Sequence, residues 1–574
     1  MDVGELLSYK PSKEPKRGLA EDDEIEARPR LKRIAQIPEF FHSDRRNSRQ
    51  ASTPVQSLSQ QPLVTVLPEE EKPEIADDIL AEAPDEVLDE ATLKKLILAF
   101  EKKVLKNQAL RIKFPELPEK FMDSEIELND IIQEMHIIAT QPDLYNVLVE
   151  LNAISTILGL LTHENSDIAI AIVDLLQEMT DIDTLHESQE GATVLIDALL
   201  DGQVVALMVQ NLERLDETIK EDAEGVHNTL GIIENLTEFK PLLCVETAQQ
   251  GLMQWILKRL KAKMPFDANK LYTSEILSIL LQNHDDNRKL LGELDGIDVL
   301  LQQLAYFKRH DPSNSEEYEM MENLFDSLCS SLMYVPNREK FLKGEGLQLM
   351  NLMLREKRQS RNGALKVLDH AMCNPEGSDN CNKFVDILGL RTIFPLFMKT
   401  PKKNRKKGLN LEEHEEHVCS IIASMLKNCK GTQRQRLLNK FTENDHEKID
   451  RLMELHFKYL EKVHHVDNQI EKEKAEYRYN DEEVNSMMED EFYLRRLEGG
   501  LFTLQLIDYI MLDTCSSGPS SIKQRVLQIL NLRGGSIKTI RNVMREYAGN
   551  LGDAKDLAAR EAEQQRILQL VDRF

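Results

Sequence analysis

Aromatic residues are scarce in this chain, at 5%, and there is a single tryptophan, Trp255. That scarcity argues against a sheet protein built on aromatic and β-branched side chains. Leu, Ile and Met are plentiful instead, the material of packed helices. Positive charge is in deficit: 72 Lys and Arg face 99 Asp and Glu, for a net −27. Such a balance counts against generic wrapping of a nucleic-acid backbone, which requires net cationic surface. The seven cysteines are odd in number and widely scattered, with no secretory leader in front of them, so a reducing intracellular compartment is expected. No long uncharged apolar run occurs. The most apolar stretch, 500–512, is too short to span a bilayer and contains Asp508, so no membrane association is expected.

Phosphate-binding and nucleophile motifs are missing as well. The chain has no G-x-x-x-x-G-K-[ST], no G-x-G-x-x-G and no G-x-S-x-G. His414, His417 and Cys419 come nearest to a metal cluster, but they lack H-E-x-x-H spacing and read as an exposed, charged helix face. No catalytic residue, metal or cofactor is assigned, and an enzyme is not expected. Acidic pairs such as Asp181/Asp183 discriminate nothing among so many carboxylates.

What is present is length and periodicity. A chain of 574 residues exceeds one ordinary core, leaving several compact domains or one elongated array. Residues 1–84 hold nine of the twenty prolines without sustained hydrophobic periodicity, and read as a disordered tail. From about residue 85 the texture is helical, as over 88–105. A small residue followed by spaced hydrophobes then recurs at Ala153, Gly202, Gly251, Gly296, Gly346 and Gly389. Those anchors lie 49, 49, 45, 50 and 43 residues apart. Units of this length suit an all-α solenoid of armadillo or HEAT type, in which each unit buries its apolar side against the next. Glycine at the anchor is expected to permit a sharp turn where a Cβ would clash. The repeat region is drawn at 85–407, and 408–574 is expected to form a helical C-terminal cap covering the last exposed face.

The charge gives the array a ligand sign. Residues 1–80 carry 12 Lys/Arg against 16 Asp/Glu, or −4, so −23 falls on the remainder. Acids recur in or near the last helix of successive units: Asp174, Glu178, Glu234, Glu275, Asp326 and Asp369. A groove lined by them would attract extended Lys/Arg-rich peptides. In the tail, Lys16 and Arg17 precede Arg28, Arg30, Lys32 and Arg33 with bipartite nuclear-import spacing, and Arg45-Arg46-Asn47-Ser48 has the form of a basophilic kinase site at Ser48. The run KTPKKNRKK (399–407) has six Lys/Arg in nine residues; a second import signal, an RNA-phosphate patch and a solvated loop are its three readings.

Long blocks carry a resemblance. MDVGELLSY (1–9), NDIIQEMH (129–136), TDIDTLHES (180–188), KMPFDANKLY (263–272), FLKGEGLQLMNLMLREK (341–357), NKFVDILGLRTIFPLFMK (382–399), LLNKFTEND (437–445) and EFYLRRL (491–497) resemble the beta-catenin-like family of nuclear armadillo-repeat proteins. Residues 10–84 depart from that pattern. The resemblance implies a nuclear adaptor tied to the spliceosome through the Prp-nineteen complex. It further implies binding to basic, import-signal-like segments of splicing proteins, a Myb-like factor among them. The Trp-x-x-x-Asn ladder of importin-alpha is missing here, so contacts are expected to rest on carboxylates. A nuclear-import carrier and an RNA-contacting scaffold through 399–407 are the alternatives; direct nucleic-acid binding is not expected, and self-association stays open.

Overall fold

A computed structural model describes residues 88–400, 410–479, 486–552 and 557–574. The tail residues Lys16, Arg17, Arg28, Arg30, Lys32, Arg33 and Ser48 lie outside that range, as does the basic run beyond Thr400. Among the described residues every regular element is helical.

The first helix, Glu90–Lys113, starts where Asp89 accepts a 2.7 Å hydrogen bond from the Thr92 amide, an N-cap that satisfies one of the free N–H groups of the first turn. Leu93, Ile97, Phe100 and Val104, three or four apart, form its buried stripe against Met122–Met135. The helix ends at Phe114, ahead of Pro115.

From Tyr145 a unit of three helices repeats. The first unit comprises Tyr145–Glu150, Ala153–Leu160 and Ser166–Met179. Later units place their third helices at Lys220–Phe239, Ala268–Leu281, Ser315–Ser331, Arg361–Met372 and Leu411–Asn428, and each packs on its predecessor. This is the armadillo-type solenoid the spacing implies.

All six anchors sit where the first helix of a unit meets the second, but the expected reason for glycine is only half right. Positive φ falls on the preceding residue in four units: Asn152, Asp295, Glu345 and Leu388, at +58°, +56°, +58° and +65°. Only at Gly251, φ +108°, does the anchor itself need the left-handed region. Elsewhere smallness serves packing. A Cβ on Gly296, Gly346 or Gly389 would come within 2.6, 2.2 or 2.5 Å of Leu291, Phe341 or Phe384, in each case the side chain five positions earlier.

The joins between units carry a second repeat. Nδ2 of Asn287 donates to the carbonyls of Leu280 (2.7 Å) and Cys244 (2.9 Å). Fifty residues on, Asn337 donates to Ser331 (3.0 Å) and Arg288 (2.7 Å). Asn380 reaches the Ala371 carbonyl at 3.1 Å, and Asn428 reaches Met372 and Asn374. Each buried asparagine thus satisfies orphan carbonyls at the end of a third helix, and three of the four also tie to a second segment of the neighbouring unit. Arg288 and Arg338 extend the cap through Nε to Leu281 and Leu332.

The 407/408 division drawn from the sequence falls between the second and third helices of the sixth unit. A seventh unit comes next: Gly431–Lys440 stacks on the first helix before it, and Phe502–Ser517 continues the ladder of third helices by packing on Leu411–Asn428. Its second helix, Glu447–Tyr479, is 33 residues long. The far half forms an arm with Ser486–Arg496, held by Arg495–Glu473 (2.5 Å), Arg496–Asp467 (2.7 Å) and Lys474–Glu489 (2.9 Å). Residues 503–515 are buried on every side, and their two acids are paired internally: Asp508 with His456 at 2.6 Å, Asp513 with Arg434 at 2.6 Å.

Replacing Asn337 by Ala removes two hydrogen bonds to buried carbonyls, a loss of about 1–3 kcal/mol. In a quasi-one-dimensional array the damage is local. Amide hydrogen exchange is expected to accelerate across 285–343 while 504–512 keeps its protection; uniform acceleration contradicts the ladder.

Candidate functional site

All six acids singled out above fall on third helices. Asp174 and Glu178 lie on Ser166–Met179, Glu234 on Lys220–Phe239, Glu275 on Ala268–Leu281, Asp326 on Ser315–Ser331 and Asp369 on Arg361–Met372. Because these helices pack consecutively, the acids form a series with at least one carboxylate per unit across five units. Glu178 is exposed and the other five are half-buried, so the series is neither core nor freely solvated edge.

Sequence reasoning did not foresee how strongly the protein engages these acids itself. The Asp174 carboxylate accepts from Asn228 Nδ2 at 2.8 Å; burial raises its pKa and that amide partly offsets the rise. Glu178 lies 2.7 Å from His136 Nδ1, and Glu234 accepts from the Tyr272 hydroxyl at 2.6 Å. Asp369 accepts from Ser420 Oγ at 2.5 Å and pairs with His417 Nδ1 at 2.9 Å. Hydrogen bonds of this kind orient a carboxylate without cancelling its charge.

The two ends of the series differ. At the N-terminal end a cavity of about 490 Å³ is lined by His136, Thr140, Gln177, Glu178, Asp181 and Glu187. Three of those are acids, and the wall opposite Glu178 is the short helical segment His136–Thr140. At the C-terminal end the chain supplies its own cations. Lys366 Nζ sits 3.0 Å from Glu413. Burial disfavours its charge, but the fields of Glu413, Glu322 and Asp326 outweigh that and hold the ammonium above its ordinary range. His417 behaves alike: burial opposes protonation, yet Asp369 and Glu413 raise its pKa to about 9. Glu413 in turn is held down near about 2, chiefly by His417 and then by Lys366.

One expectation is overturned here. Residues 411–420 do not form an exposed, charged face: His414, Glu415 and Cys419 are buried. The helix carrying them is a third helix, covered on one side by Arg361–Met372 and on the other by Phe502–Ser517. Burial drives the His414 pKa down to about 4. Glu415 is buried as a hub, accepting from Lys458 (2.6 Å), Tyr459 (2.9 Å) and Thr400 (2.6 Å). No group of three metal-ligating side chains is present among the described residues. The run L-E-E-H-E-E-H alternates in a way that hides this burial, because charged residues dominate it; the apolar continuation Val418-Cys419-Ser420-Ile421-Ile422 is the available signal.

The pKa of His417 lies above that of a free histidine, so its contribution to stability is complete below about pH 6.5 and is lost as pH rises through about 9. His417→Gln keeps a donor toward Asp369 but removes the charge. Thermal melts from pH 6 to 9.5 are expected to show a falling midpoint in the native chain. The variant should be less stable at pH 7 and flatter across the window; an unchanged slope contradicts this assignment.

Comparison with known proteins agrees over most of the chain. A family model described as catenin-beta-like, Arm-motif containing nuclear matches residues 71–545. Beta-catenin-like protein 1 of Homo sapiens is 68% identical over 487 residues, covering 85% of this chain and 86% of that protein. Its homolog in Schizosaccharomyces pombe is 30% identical over 463 residues, covering 80% and 78%. Among solved structures, SYS-1 aligns over 84% of both chains with 12% identity and a TM-score of 0.42.

Proposed function

Since the chain belongs to the catenin-beta-like family of nuclear, armadillo-motif proteins, we propose that it is a non-enzymatic adaptor of the pre-mRNA splicing machinery. In this reading it works in the nucleus, associated with the Prp-nineteen complex, and holds basic, import-signal-like segments of partner proteins, a Myb-like factor among them, along its third helices. The carrying observation is the series of carboxylates, with at least one per unit from Glu178 to Asp369, on a continuous ladder of packed helices. An extended peptide advances about 3.3 Å per residue, and packed helices lie about 8–10 Å apart, so the row of anionic positions suits cations two to three residues apart in a Lys/Arg-rich segment. Net charge of −23 outside the first 80 residues raises the rate of encounter with such ligands.

The N-terminal half of the row is the favoured seat. There Asp174 accepts from an amide, Glu234 from a phenol hydroxyl, and Glu178 faces His136, whereas Lys366 lies in the field of Asp326 and His417 pairs with Asp369. A peptide cation entering beside Glu178 would find Asp181 and Glu187 in the same cavity. An import-carrier role is the weaker reading: with a single tryptophan, the chain has no ladder of indole slots in which to clamp a peptide backbone.

Glu178→Gln and Glu234→Gln remove charge with little change of shape. Fluorescence anisotropy with a labelled Lys/Arg-rich peptide is expected to show roughly fivefold weaker binding for each, about 1 kcal/mol. Affinity of the native chain should fall steeply with salt; peptide affinity unchanged in both variants would sink the proposal. For the tail, alanine at Lys16, Arg17, Arg28, Arg30, Lys32 and Arg33 is expected to abolish nuclear accumulation of a reporter carrying residues 1–84. Undiminished accumulation removes those residues as an import signal.

A further inference from the structure

The acidic net charge conceals a basic edge. The loops joining second to third helices carry −1 over 161–165 and −2 over 215–219 in the first and second units. In the third, fourth and fifth they carry 0 over 262–267, +1 over 306–314 and +2 over 357–360, and Lys258 and Lys261 add charge from the last turn of Met253–Lys261. The opposite joins, third helix to first, carry −3 over 180–188, 0 over 282–284 and −1 over 373–377, and no more than +1 at the other three. In a stacked array such loops succeed one another along one rim. The last two are in direct contact: Gln359 N donates to Asp311 Oδ1 at 2.8 Å, and Ser360 Oγ donates to the Phe307 carbonyl at 2.9 Å.

Two further observations bear on what this edge receives. Tyr306 is 56% exposed, and its ring stacks on the exposed His310, with centroids 5.5 Å apart and planes within 24°. An aromatic pair presented to solvent beside cations offers a flat platform rather than a socket. Between the two in sequence, Lys308 is buried with no hydrogen-bond partner at Nζ, and burial lowers its pKa. Lys261, Lys263 and Lys357 are exposed; Arg358 is exposed too, and shares Asp311 at 3.2 Å.

We propose that this edge binds single-stranded RNA, with phosphates against Lys261, Lys263, Lys357 and Arg358 and a base stacked on the Tyr306–His310 pair. Cations alone would equally suit an acidic peptide; the exposed stack favours a nucleobase, since every base has a π face and carboxylates have none. Long-range repulsion from the −27 chain is no bar at physiological salt, where charges interact over about 8 Å. This site is separate from the third-helix carboxylates and does not rest on their ligand.

The test uses the full chain and a labelled 15-nucleotide uridine-rich RNA, titrated from low to physiological salt. Tyr306→Ala is expected to weaken binding about tenfold and Tyr306→Phe to restore it. The triple variant Lys261→Ala, Lys263→Ala, Lys357→Ala should weaken binding and flatten its salt dependence, by about 0.7 in log–log slope per lost phosphate contact. Circular dichroism melts confirm that each variant is folded. Three results overturn the proposal: no saturable RNA binding at low salt; polyglutamate competing as well as RNA with Tyr306→Ala indistinguishable from native; or edge variants binding as native while neutralising 402–407 abolishes binding.

Discussion

A helix that ends inside a protein leaves its last carbonyls without partners, and this solenoid must solve that problem at every join. The buried asparagines at 287, 337, 380 and 428 are the solution in the best-formed part of the array. Each is short enough to sit between two helix ends and carries two donors on one nitrogen, so Asn287 and Asn337 each close a third helix and grip the neighbouring unit at once. Lysine or arginine would be too long for that space, and serine has one donor. Unit-to-unit register results from this grip, and register is what brings the third helices side by side. The carboxylate series depends on it: a slipped unit would rotate its acid off the common face.

How much of this could be read from residues alone varies by feature. The six anchors are legible because they need little context: a small residue with hydrophobes behind it, recurring at forty to fifty. The asparagine ladder has the same period and sits nine residues ahead of the glycines at 296, 346 and 389, yet Asn is common at exposed turns and its burial leaves no mark in composition. Sequence alone assigns the sharp turn to glycine, whereas Asn152, Asp295, Glu345 and Leu388 take its left-handed residue; at Gly296, Gly346 and Gly389 a close approach by Leu291, Phe341 or Phe384 reserves the glycine for space. The seventh unit is hidden by its own insertion. A 33-residue helix where ten are usual breaks the period, and the helices beyond it no longer register as a repeat.

At the acids, position is legible and environment is not. Periodicity puts Asp174, Glu234 or Asp369 on a third helix, but only three-dimensional packing shows that Asn228, Tyr272 and Ser420 donate to them from the next helix along. Nor does a charge count reveal arrangement. The sum of −27 is compatible with uniform acidity, yet carboxylates recur on the helix ladder while exposed cations such as Lys261, Lys263, Lys357 and Arg358 gather at the joins of the third and fifth units. Screening within about 8 Å at physiological ionic strength lets such neighbours behave as independent surfaces.

The long helix of the seventh unit belongs to two bodies. Its first half is cemented into the array by Ile449, Leu452, Leu455 and Tyr459, and its second half leads into the two-helix arm. At 1.5 Å per residue it measures about 50 Å, and hydrogen bonds along an unbroken helix leave it stiff. It is therefore a pointer as well as a strut. A tilt of the last units by a few degrees, too small to disturb any side-chain contact there, swings the tip by several ångströms. Bending of the solenoid, which in such arrays is shared thinly among many joins, is thereby gathered at one place and made large.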